Sequence, residues 1–146
     1  MNAITPEEFE LFRKFMLEHA GIGMAPEKHV LVASRLAKRL NHLGLTSYGA
    51  YFRFVTAPDH QDELQIMVNL LTTNETYFFR EPKHFEFLVD TVLAHWTKPD
   101  CRVWSAASST GEEAYSLAMT LASHLRGLDW AVLASDLSTH VLDVAR

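Results

Sequence analysis

Two short apolar runs, "RVWSAA" at 102–107 and "WAVLASD" at 130–136, are separated by one helix-like stretch, "TGEEAYSLAMTLASHLRG". Strand, helix and strand in that order make a βαβ unit, and its two strands must pair in parallel. A parallel pair has two faces to bury, so it needs helices on both sides and further strands beside it. "STHVLDVAR" begins another helix, and the pattern stops there, mid-sheet. The expected fold class is α/β, with only the opening part of a Rossmann-like sheet in this chain.

The first 72 residues read instead as successive short helices. "TPEEFELFRKFMLEHAG" has Thr5 as N-cap, Pro6 at the first helical position, Glu8 to complete a capping box and Gly21 as a stop. Its apolar face is read as Phe9, Phe12, Phe15, Met16 and Leu17. A second helix, "APEKHVLVASRLAKRLNHLG", has an expected stripe of Val30, Leu31, Ala33, Leu36, Leu40 and Leu43. "SYGAYFRFVT" and "DELQIMVNLLT" are a third and a fourth, broken at Ala57-Pro58, and a fifth begins at Pro82. The expected domains are a helical one over 1–72, a connecting segment and helix over 73–98, and an unfinished α/β domain over 99–146.

Composition narrows the class further. With 48% apolar and 21% charged residues in 146, the chain is that of a folded protein. No apolar run approaches the ~20 residues of a membrane span, so no membrane insertion is expected. The start "MNAITPEEFELF" has no charged n-region before an apolar stretch, and one cysteine, Cys101, suits a reducing cytoplasm. A net charge of −5 argues against nucleic-acid partners. The eight histidines have no HExxH or other metal-ligand spacing, and His84 is read as packing. No metal is expected.

In an open parallel sheet, ligands bind beyond the carboxyl ends of the strands. Two segments lie there, "SAASSTGEEAYS" at 105–116 and "ASD", where Asp136 follows the second strand. Small residues and Gly111 allow close approach of the backbone, and an acidic residue after the second strand commonly takes ribose hydroxyls. A dinucleotide is disfavoured, because the G-x-G-x-x-G fingerprint is absent and Glu112 and Glu113 would repel a pyrophosphate. Carboxylates suit the ammonium and sulfonium of S-adenosylmethionine; equally, the pair could simply favour the helix N-terminal dipole.

The stretch "TTNETYFFREPKHFEFL" at 72–88 carries three aromatics against a charged pair. With "RVWSAASSTGEEAYSLAM" and "ASDLSTHVLDVAR", in that order and at that spacing, it resembles the signature segments of the chemotaxis receptor glutamate methyltransferases, the CheR family. The resemblance covers essentially the whole chain. It implies a helical domain followed by a class I S-adenosylmethionine-dependent methyltransferase domain, in a chain ending about midway through a typical member and expected to be inactive alone. The implied cofactor contacts are Asn74, Thr76, Arg80, Glu113 and Asp136. Ala114 stands where the family usually has proline, which relaxes the first helical turn.

The implied reaction methylates receptor glutamates and leaves S-adenosylhomocysteine. Arg80 would orient the incoming carboxylate or hold that of the cofactor, and Tyr77 would line the transfer channel. Arg80 has an ordinary alternative, a surface pair with Glu81 or Glu86. Tyr77, Phe78 and Phe79 have theirs, interdomain core. Arg35, Lys38 and Arg39, expected along the exposed side of the second helix, would meet the cytoplasmic helical region of the receptors, or are a solvated face. The competing function is a non-catalytic helical module that docks receptors, or a fragment that self-associates or exchanges strands through its unfinished sheet.

Overall fold

The structure, a computed structural model, describes residues 3–146; Met1 and Asn2, which open the segment read for a secretion signal, lie outside the described residues. The chain divides into two compact units, one ending at Thr73 and the other running from Asn74 to Arg146.

Among the described residues the first unit holds four α-helices: α1 (Pro6–Ala20), α2 (His29–His42), α3 (Tyr48–Val55) and α4 (Gln61–Leu71). The capping box of α1 forms as read: Glu8 donates its N–H to Thr5 Oγ1, and Thr5 donates its N–H to the Glu8 carboxylate. The other Glu8 oxygen accepts the Gly49 N–H at 2.7 Å, which ties α1 to the first turn of α3. Gly21 ends α1 at φ +66, a left-handed conformation open to glycine at little cost.

The core of this unit includes Phe12, Met16, Val32, Leu36, Leu40, Tyr51, Val55 and Met67. Three expected positions are displaced. Leu17 is exposed, because Phe12 and Met16 one turn apart already fill the inner face of α1. On α2 the buried stripe is Val32, Leu36 and Leu40, while Val30 is 65% exposed and Leu31 lies outside too. A separate 3-10 turn at Pro26–Lys28 precedes α2, and spacing of four from Val32 sets which side faces inward.

The second unit begins with α5 (Pro82–Phe87), which continues as a π-helical turn, Leu88–Val92, and a 3-10 turn, Leu93–His95. Strand β1 (Asp100–Ser105) pairs in parallel with β2 (Asp129–Ala134), joined through α6 (Glu112–His124) and followed by α7 (Thr139–Ala145). The α/β reading stands, with Ser105 opposite Ala134 at the carboxyl ends. One sheet face is covered: Cys101, Val103, Trp130 and Val132 pack with Leu93, Leu121 and Leu125. Burial raises the Cys101 thiol pKa, consistent with a small buried apolar residue. Trp104 and Leu133, on the other face, are 64% and 65% exposed.

Candidate functional site

The two strands deliver their loops side by side. Ser135 donates its N–H to the Ser105 carbonyl at 3.0 Å, and Ser108 returns one to the Ser135 carbonyl at 2.9 Å, so the pairing continues past the strand ends. Asp136 lies there with its carboxylate held from two directions. Oδ2 accepts the Ser109 N–H at 2.9 Å and Oδ1 accepts the Ser138 N–H at 2.8 Å. Each oxygen keeps a further lone pair, and the half-buried group can accept from a ligand's hydroxyls.

Glu113, in the first turn of α6, is anchored to the end of β1: Ser105 Oγ donates to Oε1 at 2.6 Å. Thr110 Oγ1 donates to the Glu112 carboxylate at 2.6 Å. Gly111 precedes the helix at φ +101, and a Cβ there would lie 3.0 Å from the Tyr115 ring. The loop therefore closes tightly only with glycine.

The segment 74–81 lies against the same loop and helix. Ser109 Oγ donates to the Asn74 carbonyl at 2.9 Å, and Phe79 donates its N–H to Ser116 Oγ at 3.0 Å. Ser116 Oγ in turn donates to the Glu112 carbonyl. Thr76 is half-buried within this segment. Arg80 does not pair with Glu81 or Glu86; its Nη1 donates to the Glu75 carbonyl and its guanidinium sits 5.9 Å from the Tyr77 ring centroid. Phe79 and Glu81, on either side of it, both have φ of +55. The three aromatics are not core: Tyr77, Phe78 and Phe79 are 54%, 55% and 43% exposed, and Phe79 meets Phe85 edge-on at 5.2 Å.

The structure thus gathers Asn74, Glu113 and Asp136 around one loop through serines that sequence reading passed over. Ser105, Ser109 and Ser116 were visible only as small residues of "SAASSTGEEAYS": Ser105 meets Glu113 only once that loop folds back, and the partners of Ser109 and Ser116 lie 35 and 37 residues away.

The basic residues of α2 belong to the helical unit, and only Lys38 is exposed as expected. Arg35 donates to the Leu71 and Thr72 carbonyls and to Thr73 Oγ1, at the open end of α4. Arg39 Nε donates to Glu63 Oε1 at 2.7 Å, and Tyr51 Oη donates to the same oxygen at 3.0 Å. Burial pushes the Glu63 carboxyl up, but the bonds from Arg39 and Tyr51 outweigh it and its pKa lies below the ordinary value. Both arginines are drawn inward because α4 offers them unpaired carbonyls and a buried carboxylate. Among the described residues, no group of three or more His, Cys, Asp or Glu is placed to hold a metal, and no helix is long and apolar enough to cross a membrane.

Comparison with known families decides the kinship. The family description "CheR methyltransferase, SAM binding domain" matches residues 74–146, and "CheR methyltransferase, all-alpha domain" matches 7–72. The chain belongs to the CheR methyltransferase family. Its CheR relatives include the "Chemotaxis protein methyltransferase" of Escherichia coli (strain K12), 44% identical over 99% of this chain and 50% of the relative. That of Salmonella typhimurium is 42% identical over the same shares. "Chemotaxis protein methyltransferase 2" of Pseudomonas aeruginosa is 44% identical over 97% of this chain and 51% of its own length. The chain spans about half the length of the curated CheR relatives it matches.

Proposed function

We propose that this protein is a protein-glutamate O-methyltransferase that uses S-adenosylmethionine to methylate chemotaxis receptors. The observation that carries the reading is the Asp136 carboxylate, fixed by two backbone N–H groups beside a glycine-closed loop at the ends of parallel strands. The donor set fits the cofactor: a carboxylate for vicinal hydroxyls just past the end of β2, and Glu113, in the first turn of α6 and held by Ser105, for a cationic centre.

Asp136 would hold the ribose hydroxyls, and Glu113 would face the positive charge. Asn74, Thr76 and Arg80 would complete the cofactor contacts from the segment 74–80. When bound, the cofactor supplies an electrophilic methyl group on a sulfonium. A receptor glutamate, with a pKa of about 4.3, is already ionised at neutral pH, so no side chain has to take a proton. The work of this chain's residues is alignment and exclusion of water. Arg80 keeps the rest of its fork for a carboxylate, of substrate or of cofactor, with Tyr77 beneath it. Of the basic residues of α2, Lys38 is the one left for an acidic receptor helix, since Arg35 and Arg39 are engaged within their own unit. The reading places the protein in the cytoplasm and treats 1–72, 73–98 and 99–146 as helical domain, connecting segment and cofactor domain.

Calorimetric titration of S-adenosylhomocysteine tests this. Micromolar binding, lost at least tenfold in Asp136→Ala, is the expected result. No binding by this chain but binding by a longer one would put essential contacts beyond Arg146. Failure of both would leave the helical unit as a docking module. A second reading concerns the isolated chain: exposed Trp104 and Leu133 on an uncovered sheet face favour self-association or strand exchange.

A further inference from the structure

We propose that Ser109 is a positioning residue for the cofactor site, a clasp that fixes the heading of Asp136 and the path of the segment 74–80 together. The inference rests on the cofactor reading above. Ser109 is 5% exposed and sits between β1 and α6. Its hydroxyl donates to the Asn74 carbonyl at 2.9 Å, and its N–H donates to Asp136 Oδ2 at 2.9 Å. One residue thereby joins three pieces of chain: the segment carrying Arg80, the loop leaving β1 and the carboxylate following β2.

The backbone of Ser109 indicates that the hydroxyl matters. Its φ is +49, in the left-handed region where a Cβ is strained and glycine is not. Gly111, two positions on, occupies the positive-φ region without a side chain. A serine in that conformation gives up stability that glycine would recover, and its hydroxyl bond to Asn74 is the offsetting gain. With the hydroxyl gone, the peptide before Ser109 is freer to rotate, and its N–H no longer has one heading toward Asp136.

Ser109→Gly separates this role from a merely structural one, because it removes the hydroxyl while relieving the backbone. The expected result has three parts. The unfolding midpoint is unchanged or raised. Amide hydrogen exchange across residues 74–80 of the ligand-free protein rises. Affinity for S-adenosylhomocysteine falls roughly fivefold to tenfold, the worth of one hydrogen bond. Ser109→Ala, which keeps the strain, gives the same loss of affinity with a lowered midpoint. Unchanged exchange in Ser109→Gly would overturn the clasp, and raised exchange with unchanged affinity would overturn its bearing on the ligand. If neither the unsubstituted chain nor a longer one bound the ligand, the cofactor reading would fall and with it the positioning role, while the exchange data would still decide whether the clasp exists.

Discussion

Glu63 is a carboxylate in the interior of the helical unit, and it is ionised there because Arg39 and Tyr51 both reach it. Truncation would strand a half-buried guanidinium and a buried phenol at once. Glu63→Ala is expected to lower unfolding free energy by about 3 kcal/mol, read from urea denaturation. Its folded-state pKa lies below the reference value of 4.5, so the stabilisation is complete above that pH and is lost as pH falls through the folded value. The urea midpoint of the unsubstituted chain should therefore drop on acidification below about 4.5. Glu63→Gln should flatten that part of the curve; an equal slope in both proteins would remove Glu63 as its source.

For single elements, the phase of α2 offers a direct comparison. Val32 is buried and Val30 exposed, two residues apart on one helix. Val32→Ala should destabilise by about 2 kcal/mol, and Val30→Ala by less than about 0.5 kcal/mol. The reverse order in thermal unfolding would mean that the helix is rotated from the position described. Helix starts and stops were legible because their causes are local: Thr5, Pro6 and Glu8 act within one turn, and Gly21 through its own φ. The inward side of α2 was misread because apolar residues crowd 30–33, although only Val32 among them keeps a spacing of four with Leu36 and Leu40. The strands and the acidic residue after β2 could be read from pattern. The serine bonds could not, since Ser109 meets a carbonyl 35 residues away. Likewise the charge of Arg39 looked like surface until Glu63, 24 residues on, was seen to be buried beside it.

At the scale of the molecule, the sheet has two strands and one covered face, in a family whose curated relatives are about twice as long. The uncovered face is the place to look for association of the isolated chain. Sedimentation at rising concentration should detect oligomers that Trp104→Lys with Leu133→Lys disperses, without loss of helical signal. A monomer at all concentrations would set that reading aside.

The left-handed residues flanking Arg80 carry a consequence for anyone who alters this protein. Phe79 and Glu81 both stand at φ +55, but the Phe79 ring packs on Phe85, so a stability screen would first place glycine at the exposed Glu81, with about 1 kcal/mol to gain. Such a variant would melt later. It would also loosen the backbone next to the guanidinium, so the sturdier protein should be the poorer ligand binder, and selection for heat resistance alone would work against the site.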